Sequence, residues 1–203
     1  MRYVLFDIGA NWGTDSLQVT RDNSNYLTYA FEPTQELQVY LMEESAAFND
    51  RYHVMGIALS DFDGEANFNI AAHADWGVSS LLDFAPNIAQ TWEGRQDLYV
   101  DRIETVPVMR FDSWFRKQKP DIQRIDFFHC DTQGSDLKVL EGMGAYFGMI
   151  VEGVIECPSS AEVRLYEGQH TKEEAQDFLS DRGYEVFRRE EQQNEVNLFF
   201  RRK

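Results

Sequence analysis

The sequence predicts an α/β fold, a mostly parallel sheet with helices on both faces. Two observations predict it. Short apolar runs alternate with amphipathic helical stretches along the whole chain. The last two runs, "YEVFRRE" and "EVNLFFRR", follow each other without a helix between them, so these two should pair antiparallel. In such sheets ligands gather at the carboxyl ends of the strands. The residues at those ends are Asp7, Glu32, Ser60 with Asp61, Asp131 and Glu156, so the expected site is acidic.

Residues 3–8 read as a short buried strand that runs into a Gly-rich turn, "FDIGANWG", with a helix after Gly13. Residues 26–32 are the second strand. Thr34 is placed to cap a helix carrying Leu37, Tyr40 and Leu41 on one face. Residues 52–60, "YHVMGIALS", read as one strand. Asp63-Gly64 then suggests a tight turn into an alternating strand, a hairpin signal. Residues 72–104 are the least regular part and read as a long functional loop with room for a short helix. "ETVPVMRF" is a strand expected at an edge, because Pro107 has no N–H to give a neighbour. A short helix is expected at 112–117. The strand at 124–131, "RIDFFHCD", ends in an acid. Ser135 starts a helix that buries Leu137, Leu140 and Met143, and "MIVEGVIEC" is the next strand. Thr171 and Glu174 have the spacing of a capping box, Ala175, Phe178 and Leu179 form the buried face behind them, and Gly183 ends that helix.

At 203 residues the chain reads as one domain, 1–203, able to bury a core without staples. Its 19 Lys and Arg stand against 35 Asp and Glu, a net charge of -16, which argues against a nucleic-acid backbone or an anionic membrane as partner. Cys130 and Cys157 both sit in apolar runs, without metal-site or disulfide spacing, and are expected to be buried free thiols in a reducing cytoplasm. No secretory leader is visible, and no apolar run reaches the roughly 18 residues that span a bilayer.

Gly9 and Gly13 remove Cβ atoms where the chain turns from strand to helix, so a ligand can approach the backbone there. The following helix aims free N–H groups at the same space. The pattern is neither the three-glycine dinucleotide fingerprint nor a P-loop, which needs Gly-Lys-Ser/Thr. Asp7 at the mouth of the turn and Asp15 beyond it disfavour a phosphate-rich ligand. Glu32 stands about 20 residues past the turn, where a ribose hydroxyl pair is held. These acids favour a ligand with a ribose, an ammonium and a sulfonium, and S-adenosylmethionine is such a ligand.

The segments "FDIGANWGTDS", "AFEPT", "GIALSDFDGEANF", "SSL", "VMRFDSWF", "IDFFHCDTQGSDLKVLEGM", "VIEC" and "LYEGQ" occur in the order seen in the FkbM family of S-adenosylmethionine-dependent methyltransferases. The chain resembles that family from residue 3 to about 190. The resemblance implies the three-layer, seven-stranded class I methyltransferase fold and O-methylation of a hydroxyl on a sugar, glycan or other small natural product. It also implies that Asp7, Gly9, Asn11 and Asp15 surround the methionine end of the cofactor, that Ala10 and Gly13 of the same turn bind the cofactor, and that Glu32 holds the ribose. By the same likeness Ser60 and Asp61 lie beside the adenine, and Asp131 lies near the transferable methyl group. The family usually has Lys-Ile-Asp where this chain has His129-Cys130-Asp131, and Glu-Gly-x-Glu where it has Gln133-Gly134-Ser135-Asp136.

A hydroxyl needs a base within hydrogen-bond reach as its proton leaves. Asp131 is the first candidate and Glu156 the second. His129 shares a pleat face with Asp131, and the expectations for it are a satisfied buried histidine or a member of the proton path. His73 and His170 are expected to be solvated. Trp76, Trp92, Tyr99 and Tyr166 are suited either to stack on a sugar face or to pin the long loops to the core. The carboxylates have no metal-ligand spacing, and no metal is expected. The alternative to an enzyme is a non-catalytic S-adenosylmethionine-binding module.

Overall fold

A computed structural model describes residues 2–71 and 76–203, with Trp76 described by its backbone alone. In chain order the elements are β1 (Tyr3–Ile8), α1 (Thr14–Asp22), β2 (Tyr26–Phe31), α2 (Gln35–Glu44), β3 (Tyr52–Met55), β4 (Ala58–Ser60), β5 (Gly64–Ala71), α3 (Ile88–Thr91), β6 (Val100–Arg110), α4 (Phe111–Gln118), β7 (Ile125–Cys130), α5 (Asp136–Gly142), β8 (Ile150–Pro158), α6 (Lys172–Asp181), β9 (Tyr184–Glu191) and β10 (Glu195–Arg202). Seven strands form the main sheet in the order β3-β2-β1-β7-β8-β10-β9. From β3 to β8 every pair is parallel, and β10 runs antiparallel to both its neighbours. The chain builds leftward from β1 to β3 and then returns to lay β7 against the other side of β1. That reversal makes the β1/β7 junction a topological switch point, where a crevice opens at the strand ends.

Alternation along the strands sorts the core into two layers. Phe6, Phe31, Phe128 and Ile155 pack with Phe111 and Trp114 of α4, Leu140 of α5 and Leu179 of α6. Ala30, one residue before Phe31, faces the other way and packs with Leu17 of α1, Leu41 of α2 and Tyr52. Helices therefore cover both faces, as expected. The capping box at Thr171 and Glu174 is formed in both directions.

Four local expectations are corrected. Residues 52–60 are two strands, because the chain bends after Met55 and β4 leaves the main sheet for a second, three-stranded one ordered β4-β6-β5. The turn at Asp63-Gly64 links β4 to β5, but these do not pair; β5 pairs antiparallel with β6 across a long loop, and β4 pairs parallel with it. Consequently β6 is central rather than an edge. Pro107 is tolerated because β4 contacts only residues 108–110, so one side of the strand is free of a ladder partner at that point. Because β6 begins at Val100, the irregular stretch ends at residue 99.

Candidate functional site

The Gly-rich turn closes the β1 end of the switch point. The amides of Gly9 and Ala10 both donate to the Phe31 carbonyl, at 3.0 Å each, and the Asp131 amide donates to Ile8 at 2.9 Å. Gly9 has φ +79°, and a Cβ there would collide with the Asp131 carbonyl oxygen. The missing side chain thus serves the approach of β7's own backbone, at a residue that also lines both clefts. Gly13, at φ +61°, is likewise filled by Leu41 and the Tyr52 hydroxyl. Gly9→Ala is therefore expected to destabilise the fold itself, by more than about 2 kcal/mol from the left-handed backbone and the overlap together. A thermal melt unchanged from the native protein would contradict this.

Two clefts meet at Gly9, Asn11 and Asp131. The first runs past Glu32, Leu37, Ile57, Leu59, Phe68 and Leu81 and is mostly apolar. The second runs along the open side of β1 and β7, past Asp7, Trp12, Asp15, Phe127 and His129.

Glu32 is 4% exposed, and its two oxygens are fixed separately. One accepts the Thr34 amide at 2.7 Å and the other the Asn11 amide at 2.9 Å. Thr34 stands at the N-cap of α2 as expected, but it serves Glu32 rather than the helix. Burial raises the Glu32 pKa, and the hydrogen bonds from Thr34 and Asn11 oppose that shift. The Thr34 amide and hydroxyl and the Asn11 amide occupy three of the four lone pairs, so the rigid carboxylate keeps one acceptor position free beside the cleft. Asn11, in the left-handed region at φ 48°, has a buried side-chain oxygen with no partner among the described residues. A buried acceptor left open beside a fixed carboxylate fits a ligand rich in donors, such as a ribose with an ammonium.

Asp7 and His129 lie directly opposite each other in the β1/β7 register, and Nδ1 of the imidazole is 2.8 Å from the carboxylate. Burial alone would lower the imidazole pKa. The hydrogen bond and charge of Asp7, with Asp131 and Asp136 beyond, outweigh it and raise the value to about 9. At neutral pH His129 is a cation paired with Asp7. It supplies a positive charge at the position where the related family carries a lysine, and it is not a free base.

Asp131, just past β7, accepts Nε2 of Gln133 at 2.6 Å. Burial raises its pKa, while His129 and Gln133 counter that shift. Behind it Asp136 is fully buried, receiving the Thr132 hydroxyl at 3.2 Å and the Glu156 amide at 3.3 Å. Burial first and the Asp131 charge second push Asp136 up to about 7. Glu156 is not at a strand end: β8 continues to Pro158. Its carboxyl shares a hydrogen bond with Glu195 of β10, and burial with the Asp131 charge drives it well above the ordinary range. Asp136, Glu195 and the Gln133 contact were not anticipated. No local pattern signalled Glu195, which comes near Glu156 only through the antiparallel register of β8 and β10.

Other expectations scatter. Asp15 lines the second cleft. Ser60 and Asp61 line neither cleft; the Ser60 hydroxyl donates to Asp61, and the neighbouring Ala58 and Leu59 face the first cleft instead. Trp92 and Tyr166 pin the long loop: the indole donates to the Val163 carbonyl at 3.1 Å, and the Tyr166 ring stacks on Phe84. Tyr99 is exposed. His170 is buried beside Cys157 at 3.4 Å rather than solvated, and burial lowers its pKa to about 4. Both cysteines are buried and free. His73 and the Trp76 side chain lie outside the described residues.

The raised values set the sign of the pH dependence. Asp136 rises from 3.8 to about 7 and His129 from 6.5 to about 9 on folding. Each contributes stability that is complete below its unfolded value and is lost as pH climbs through its folded one. Buried His170, lowered from 6.5 to about 4, acts with the opposite sign between about pH 4 and 6.5, so thermal melts should show stability falling clearly only above about pH 6.5, and Asp136→Asn should turn the range from about pH 4 to 6.5 into a net rise. His129 weighs less, since its side chain is 41% exposed to the cleft. A melting temperature that rises from pH 5 to 9 would count against these assignments.

The sequence profile of the methyltransferase FkbM domain matches residues 7–186. No curated protein matches the chain. Among solved structures, the methyltransferase FkbM from Methylobacillus flagellatus KT is 14% identical with a TM-score of 0.57, over 98% of this chain and 44% of that one. TrmK of M. capricolum, solved with S-adenosylhomocysteine, is 12% identical with a TM-score of 0.52, over 100% of this chain and 62% of that one. The fibrillarin/Nop5p complex is 13% identical with a TM-score of 0.52, over 100% of this chain and 73% of that one. The chain thus spans a little under half of the FkbM relative. These neighbours share the class I, Rossmann-like methyltransferase fold, and the chain belongs to the FkbM methyltransferase family.

Proposed function

We propose that the protein is an S-adenosylmethionine-dependent O-methyltransferase acting on a hydroxyl of a sugar, glycan or other small natural product. The observation that carries this reading is the pairing of two elements at the switch point: the doubly anchored Glu32 carboxylate with the open Asn11 acceptor, and the Asp131 carboxylate where the two clefts meet. Bound there, the cofactor supplies a methyl group on a sulfonium. Glu32 takes the ribose hydroxyls, and the apolar wall of Leu37, Leu59 and Leu81 takes the adenine. Asp7, Asn11 and Asp15 face the amino-acid end. His129, as a cation, pairs with Asp7 and is a positioning residue. Asp131 accepts the hydroxyl proton, and Glu156 supports the acceptor side from behind.

The acidic surface argues for an uncharged or cationic acceptor and against nucleic acid. The free buried thiols suit a reducing cytoplasm. Among the described residues no helix is long and apolar enough to cross a membrane. The test is release of S-adenosylhomocysteine against a panel of sugar, glycan and small-molecule hydroxyl acceptors. Turnover with such an acceptor supports the reading. Tight cofactor binding without turnover on any acceptor would instead favour a binding module.

A further inference from the structure

Three contacts run in series from Asp131 into the core. Asp131 Oδ1 lies 2.6 Å from Gln133 Nε2, Gln133 Oε1 lies 2.8 Å from the Tyr166 hydroxyl, and that hydroxyl lies 2.8 Å from the Val78 carbonyl oxygen. Tyr166 is 1% exposed and its ring is held on Phe84, so the inner end of the chain is dry, while Asp131 and Gln133 at its outer end are half-buried and line the first cleft. The Gln133 backbone is fixed as well: it sits at φ 53°, and its carbonyl accepts the Ser80 hydroxyl at 2.7 Å. The terminal amide torsion, which is broad and nearly two-fold, is the freedom that remains.

Each contact needs one hydrogen. With Asp131 ionised, the amide donates one and the phenol one. The phenol can donate to Gln133 or to Val78 but not to both, so one contact is left as acceptor against acceptor. Now add a proton to Asp131 and turn the amide end for end. The carboxyl O–H donates to Gln133 Oε1, the amide N–H donates to the Tyr166 oxygen, and the phenol O–H donates to Val78. All three contacts become hydrogen bonds.

We infer that Gln133 and Tyr166 form a relay that follows the protonation of Asp131, the Gln133 amide turning over when the carboxylate takes a proton and the chain to Val78 favouring the protonated form. Burial makes an unmet polar contact costly, so the relay lets Asp131 accept a proton without leaving a partner unsatisfied. The charges facing Asp131 are His129 on β7, Asp7 on β1, Asp136 on α5, Glu156 on β8 and Glu195 on β10. They set where it titrates, and the relay adds to them. That a substrate hydroxyl delivers the proton rests on the proposed methyl transfer; the wiring does not.

The test is a pH titration by NMR of the whole protein, following the Asp131 carboxyl carbon and the Gln133 side-chain amide together. The relay requires the amide signals to move with the Asp131 midpoint. Tyr166→Phe removes two hydrogen bonds from the protonated arrangement and one from the ionised, so the midpoint should fall by about half to one pH unit, the worth of one net bond. An amide that ignores the Asp131 titration overturns the relay on the native protein alone, even if Tyr166→Phe fails to fold. An unchanged midpoint in a folded Tyr166→Phe overturns it too. Failure of the methyl-transfer reading would appear separately, as no binding of S-adenosylhomocysteine in the same tube.

Discussion

Asp131→Asn is expected to lower methyl transfer by about 100-fold or more, the usual scale for loss of a general base, while the fold and most of the cofactor affinity persist. Asparagine keeps the size of the side chain and can still accept the Gln133 amide through its oxygen. What disappears is the site that takes the proton. A structural role as a helix cap would predict a different outcome, a slightly lower melting temperature with normal turnover. The geometry weighs against it: Ser135 is the N-cap of α5, and Asp131 takes its hydrogen bonds from Gln133. Removing one negative charge beside buried Asp136 should if anything ease the fold. Glu156→Gln should cost less turnover, because Glu156 lines neither cleft. Single-turnover methyl transfer measured beside thermal unfolding on one sample decides the matter. Normal chemistry in Asp131→Asn would remove it from the catalytic role.

Glu32→Gln carries the second large effect, and it acts twice. The native carboxylate holds the Thr34 and Asn11 amides on opposite oxygens. A glutamine must turn an NH2 toward one of those N–H groups, losing a buried hydrogen bond and opposing donor to donor. The loop carrying Asn11 or the cap of α2 then loosens, at a cost of about 1–3 kcal/mol. The same change removes charge-assisted bonds to the ribose, so cofactor affinity should fall roughly tenfold or more per bond lost. Calorimetry with S-adenosylhomocysteine on native and mutant protein reads both consequences. An unchanged dissociation constant would take Glu32 out of the ribose site.

Asp7, Glu32 and Asp131 were legible in the sequence because strand ends announce themselves: an apolar run stops, and an acid or glycine follows. Ser60 and Asp61 were not, because the bend after Met55 divides one apolar run between two sheets, and a period of two is the same in either sheet. Glu156 was taken for a strand end because the apolar run thins there, but pairing with β10 carries β8 on to Pro158. The pairing of His129 with Asp7 depends on the register of two strands far apart in sequence, which no local pattern reports. The Gln133–Tyr166 contact joins residues 33 apart, so each drew notice separately, Gln133 as a departure from the family pattern and Tyr166 as an aromatic of an irregular segment, and nothing in the sequence paired them. Pro107 misled in the opposite direction, since a short partner strand let it sit in a central position.

Binding of S-adenosylhomocysteine by the native protein, followed by isothermal calorimetry near pH 7, tests the central claim most directly. The account predicts saturable binding at one site, no comparable binding of NAD, and a weaker constant for Glu32→Gln. A native, folded protein that takes up no S-adenosylhomocysteine would contradict it.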